Sequence, residues 1–163
     1  MGQTLTDIKN KIMAEILNNQ NILKALIIDS PDFLTQTPTE KQLELLNNPT
    51  KLIRERIFPY IKTLDATTDS KPYITTRYIN FIKSNMKYRS GVIYFYVLIP
   101  ICLEKTDYGI RYDFIIDELE KSFSETSIGD LEVGTRGDIE VDDSSGYIGS
   151  CINFKVIDFY GVK

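Results

Sequence analysis

Asp138, Glu140, Asp142 and Asp143 crowd four carboxylates into six residues. Such oxygens are what Mg²⁺ or Ca²⁺ takes as ligands. Alternation along a strand puts Asp138, Glu140 and Asp142 on one face. A metal-dependent enzyme acting on nucleic acid could use that arrangement. The spacing is not that of an EF-hand loop, however. Solvent-facing strand residues running into a turn give the same pattern without an ion.

Other candidate chemistry is thinner. Gly134-Thr135-Arg136-Gly137 is rich in glycine, but no phosphate-loop lysine follows and no helix lends its N-terminus. It reads as a turn. Cys102 and Cys151 sit in strand-like runs without a C-x-x-C context. They read as small buried apolar groups rather than a disulfide or a nucleophile. The chain has no histidine, so the commonest general base and metal ligand is missing. Tyr73, Tyr78, Tyr88, Tyr94 and Tyr96 with Arg77 and Arg89 could stack on single-stranded nucleic acid. Hairpin packing and protein interfaces, which are also rich in Tyr and Arg, account for them equally. No catalytic residue, metal or cofactor is assigned, and the chain reads as a protein that is not an enzyme.

The elements that must position these groups centre on Val92 to Leu103, V-I-Y-F-Y-V-L-I-P-I-C-L. The run is uncharged, β-branched and aromatic, and too short for a membrane helix, so it predicts a strand. A strand apolar on both faces needs cover on both. Before it, Leu5, Ile8, Ile12, Ile16 and Leu17 recur at helical spacing, predicting a helix over 5–18 that resumes from Ile22 and stops at Asp29-Ser30-Pro31. Residues 30–72 form an irregular, proline-rich arm with one short helix from about Thr39 to Leu46. Leu52, Ile57 and Phe58 make it too apolar for a loose linker, so it should lie along the body or along a partner. Tyr73 to Lys83 predicts a strand joined to the central one by a turn over 85–91. Tyr112, Ile115, Ile116, Leu119 and Phe123 form the clearest amphipathic stripe, on a helix over 110–125. Residues 128–141 predict a bent strand or tight hairpin, and Tyr147 to Tyr160 the last strand.

This order, α-β-β-α-β-β, predicts one α+β domain over 1–163: an N-terminal helical region (1–28), the arm (30–72) and a core (73–163). The core is a four-stranded, mostly antiparallel sheet with two main helices. With both helices on one face, the other face is left for a partner.

The net charge of −4 conceals an asymmetry. Residues 51–89 hold nine basic and three acidic side chains, a balance of +6. Residues 104–163 hold six basic and fourteen acidic ones, a balance of −8. Basic middle and acidic end could pair within one subunit, or between neighbouring copies, where they would steer head-to-tail assembly. An overall acidic chain makes a nucleic-acid site the weakest of the three readings. The N-terminus lacks a charged-then-apolar signal pattern, so a cytosolic protein is expected. Met1-Gly2 with Thr6 matches a myristoylation signal only superficially.

Several segments carry a family likeness. They are I-R-E-R-I-F-P-Y at Ile53–Tyr60, the long hairpin, Y-G-I-R-Y-D-F-I-I-D-E-L at Tyr108–Leu119, I-G-D-L-E-V at Ile128–Val133, and the closing strand at Tyr147–Tyr160. From about Leu52 onward the chain resembles small neck proteins of long-tailed bacteriophages, the tail terminator or tail-to-head joining group. The resemblance implies a structural virion protein, assembled in the bacterial host cytoplasm. Its copies form a ring, usually of six, that ends the tail tube and joins it to the head. Partners would be other copies, the tail tube, and head-closure or adaptor proteins. DNA would only pass through as cargo, and no membrane is involved. The N-terminal helix and the arm exceed what a minimal terminator needs, which leaves a head-completion or adaptor role open. Arg54, Arg56, Phe58, Tyr60, Arg77, Tyr94, Tyr96 and Arg136 are the candidate interaction residues.

Overall fold

The apolar stripe at the N-terminus forms α1 (Leu5–Asn18) in the computed structural model, which describes residues 5–62, 70–83, 88–124, 130–139, 141 and 143–160. Asn19 interrupts the helix. Its side chain accepts a hydrogen bond from Ile22 N (3.1 Å) and so caps α2 (Gln20–Ile27). The same side chain donates to Ser122 Oγ (2.8 Å) and Glu118 Oε2 (3.2 Å), fixing the helical break against a later helix. In the arm, Thr39 and Gln42 form a reciprocal capping box that starts α3 (Glu40–Asn47). A 3₁₀ turn (Pro49–Leu52) leads to β1 (Ile57–Phe58).

Next come β2 (Tyr73–Lys83), β3 (Tyr88–Pro100), a small hairpin of β4 (Lys105–Thr106) and β5 (Gly109–Ile110), α4 (Arg111–Ser124), β6 (Asp130–Asp138) and β7 (Tyr147–Tyr160). The main sheet has the order β1-β2-β3-β7-β6. β1 runs parallel to β2, and the other pairs are antiparallel.

The α+β class stands, but three expectations need correction. The sheet has five strands and is mixed, because the arm adds β1 in parallel at its edge. A second, two-stranded sheet of β4 and β5 stands beside the predicted one. The central strand starts at Tyr88 and ends at Pro100, and Ile101–Leu103 turn into a 3₁₀ helix. Proline has no N–H to continue a ladder, so the strand stops there.

Burial along β3 alternates. Ile93, Phe95, Val97 and Ile99 are buried, while Val92, Tyr94 and Tyr96 are half-buried. Ile93, Phe95 and Val97 share one core with α1, α2 and α4 through Ile12, Ile16, Leu23, Leu26, Ile115, Leu119 and Phe123. Phe95 stacks on Phe123 (5.2 Å between centroids, 11° between planes), and Phe154 meets both edge-on. From the arm, Leu46, Leu52 and Ile57 join the same core. No described helix is long and apolar enough to cross a membrane.

Among the described residues, one charged side chain lies fully inside this layer. Arg111 is fully buried, with its guanidinium carbon 4.8 Å from the centre of the Phe33 ring. It donates to five backbone carbonyls: Leu103 (2.9 Å), Ala25 (2.8 Å), Ile28 (2.9 Å), Asp29 (3.0 Å) and Ser30 (3.1 Å). The carbonyls at the end of α2 have no helical partners of their own, and a cation there also suits the helix dipole. Burial pushes the guanidinium below its ordinary value, against the pull of Asp29.

A candidate interaction face

The side of the sheet away from α1, α2 and α4 is built from the other parity of each strand. Across one row the register sets Arg77 beside Tyr94 and Tyr94 beside Asn153. The next row sets Thr75 beside Tyr96 and Tyr96 beside Cys151. On the other side of Tyr94, Ile79, Val92, Lys155 and Glu132 line up. The Tyr94 and Tyr96 rings stack on each other. Both are half-buried, and Arg77 and Lys155 are exposed.

One end of this face is covered by the chain itself. Phe58, Tyr73, Leu98 and Tyr147 form a second, smaller apolar cluster. Lys62 sits over Phe58, its nitrogen 4.6 Å from the ring centre. Thr75 Oγ1 donates to Tyr60 O (2.6 Å) and accepts from Lys62 N (2.9 Å), so residues 60–62 are strapped to the sheet. Beyond Tyr96 no comparable strap lies over Tyr94, Val92 or Arg77 among the described residues.

The backbone of β6 bends away beside this face. Between Val133 and Arg136 the register with β7 shifts. Asn153 fills the step: its amide nitrogen donates to Thr135 Oγ1 (2.6 Å), and its oxygen accepts from Thr135 N (3.2 Å). A Cβ on Gly134 would lie 1.9 Å from Asn153 Oδ1, so only glycine fits there. This is a bulge within one strand, where the sequence predicted a turn.

The eight candidate interaction residues do not form one site. Arg77, Tyr94 and Tyr96 share the open face. Phe58 is buried at its covered end, and Tyr60, 48 % exposed, borders it. Arg54 occupies a left-handed turn (φ 69°) where its N–H bonds Ile57 O (2.9 Å). Arg56 reaches Leu26 O (3.2 Å) and Pro72 O (3.3 Å), tying the arm to α2. Arg136 lies on the helical side, paired with Asp117 (2.8 Å) and Glu120 of α4. Sequence reasoning missed Asn153, Lys155, Glu132 and Lys62. For the first two the signal was present as the odd-numbered parity of the closing strand.

Of the acidic candidates, Asp138 is exposed at the end of β6, on the side of α4, where it adds negative charge near Asp113. Glu140 and Asp142 lie outside the described residues. Among the described residues no group of three or more His, Cys, Asp or Glu could hold a metal ion.

A profile of the YomW family matches residues 19–156, which take in every element from α2 to most of β7. No curated protein and no solved structure matches the chain. Since the profile spans most of its length, the chain belongs to the YomW family, a phage-derived family.

Proposed function

We propose that this protein is a structural subunit of a phage neck, which self-associates into a ring that terminates the tail tube and joins it to the head. The observation that carries the proposal is the one-sided cover of the sheet. Three helices bury one face, while on the other, among the described residues, Arg77 is exposed and Val92, Tyr94 and Tyr96 are only half-buried. Stacked tyrosines beside an arginine are typical of the centre of protein interfaces. A ring needs a heterologous interface that closes on itself. Other copies cover the face, the ring contacts tail-tube and head-closure proteins, and DNA passes through without being read. Membership of a phage-derived family is consistent with this role.

A head-completion or adaptor role uses the same ring at a neighbouring level of the neck. The particle that the protein binds separates the two: tails for a terminator, DNA-filled heads for a completion or adaptor protein. Negative-stain electron microscopy of the purified protein, with co-sedimentation against separated heads and tails, is the test. Rings that bind one of the two support the reading. A protein that stays monomeric and binds neither removes it.

A further inference from the structure

We infer that the open sheet face of one copy receives the acidic outer side of α4 and β6 from a second copy, so that the chain assembles head to tail. The inference rests on the assembly reading above and names the two surfaces that meet.

The two surfaces carry opposite charge. Among the described residues the charged side chains on the open face are Arg77, Lys62 and Lys155 against Glu132. On the helical side, α4 turns Asp113, Asp117 and Glu120 outward, and β6 adds Asp138. Arg136 engages Asp117 and Glu120, and it offsets Asp113 only in part; among the described residues Asp113 and Asp138 form no ion pair of their own. The Asp113 carboxyl is held above its ordinary value, first by burial and then by Asp117 and Asp138, with Arg136 opposing. A cation arriving there would relieve that excess.

Position makes the complementarity intermolecular. The sheet separates the basic face from the acidic one, so Arg77 and Asp113 of one copy point to opposite sides. The ion pairs Lys51–Glu44, Lys121–Glu118 and Arg136–Asp117 do not join the basic middle of the chain to its acidic end. Docking two open faces together would bring Arg77 and Lys155 against the same charges, which is unfavourable. Complementary patches on opposite sides of one subunit make a heterologous contact, which repeats until it closes. Tyr94 and Tyr96 supply the apolar area between the charges.

Charge exchange tests this. Sedimentation velocity is run on the full chain, on Arg77→Glu, on Asp113→Lys, and on an equimolar mixture of the two variants, with circular dichroism to confirm folding. Each variant alone should lose affinity for itself on the order of tenfold or more, since like charges then meet. The mixture should regain assembly, because each variant's altered surface matches an altered or native surface on the other. If Asp113→Lys fails to fold, Asp138→Lys takes its place. Wild-type assembly that neither reversal weakens, or a mixture no better than its parts, overturns this inference and leaves the assembly reading standing. A wild-type chain that never associates overturns both. Binding of an oligothymidylate probe through Tyr94 and Arg77 by a chain that stays monomeric would reassign the face to single-stranded nucleic acid and overturn the inference as well.

Discussion

The rings of Tyr94 and Tyr96 lie 5.9 Å apart, centroid to centroid, with their planes 11° from parallel. Two residues apart on a strand is the spacing of one face, so neither ring can reach the helices behind the sheet. They form a shared, half-buried plate instead. Tyr94→Ala should therefore cost the fold about 1–2 kcal/mol, less than removal of a fully buried ring. Self-association should fall much further, as it does when a central aromatic is removed from an interface. Urea unfolding and sedimentation, run on the same variant, separate the two effects. A large loss of fold stability with unchanged association contradicts the assignment.

Arg111 has a different role. Its five carbonyl partners come from the end of α2 and the segment before α4. Replacement with methionine keeps much of the volume and orphans all five acceptors. Arg111→Met should destabilise by at least about 3 kcal/mol, given a cost of about 1–3 kcal/mol for each buried group left unpaired. Arg111→Lys, with fewer donors and no planar fork, should fall between the two. Equilibrium denaturation reads both, and a Met variant as stable as the parent would refute the arrangement.

The bulge in β6 predicts a coupling. Gly134→Ala sets its Cβ 1.9 Å from Asn153 Oδ1 and 3.0 Å from Asn153 O, so it should destabilise. Part of the clash disappears once the Asn153 side chain is gone. In a double-mutant cycle with Asn153→Ala, the cost of Gly134→Ala should shrink by about 1 kcal/mol or more. Strictly additive effects would place Asn153 elsewhere.

Thr76 is fully buried opposite Phe95, and its hydroxyl finds no partner among the described residues. Thr76→Val removes that hydroxyl at nearly constant shape. Stability should rise by about 1 kcal/mol, the lower end of what an unpaired buried polar group costs. A loss on urea denaturation would mean that the hydroxyl is bonded.

Asp113 gives a pH signature. A carboxyl raised in the fold binds its proton more tightly there than in the unfolded chain. Its contribution is therefore fully present below the ordinary value of 3.8, is lost as pH rises through the folded value, and stays lost above it. Asp113→Asn should melt higher than the parent at neutral pH. The difference should vanish as the solution is taken below about pH 3. Thermal melts across pH check the sign, and a variant that melts lower at neutral pH would reverse it.

Much of the fold was legible because its signals are periodic. The stripe of Leu5 to Leu17 gave α1, and unbroken β-branched and aromatic runs gave β2 and β7 with the bounds observed. β1 was missed because two residues show no period, and its partner strand lies fifteen or more residues on. Hydrophobicity alone hid the alternation in β3. Tyr94 and Tyr96 look as apolar as Phe95, yet they face the other way. Arg111 carried a usable clue: it stands four and eight residues before Ile115 and Leu119, on their stripe, where a charge demands an explanation. Parity put Asn153 on the outer face, but its task is set by a step in the neighbouring strand that nothing local announced.

The central claim is that copies share the open face, and two native cysteines can report on it. Cys151 is half-buried beside Tyr96 on that face, and Cys102 is exposed in the turn after β3. The measurement is the rate of thiol labelling at each cysteine as protein concentration rises. The account predicts that Cys151 slows relative to Cys102 as copies associate. Cys151 rates that keep a fixed ratio to Cys102 from dilute to concentrated protein would contradict it.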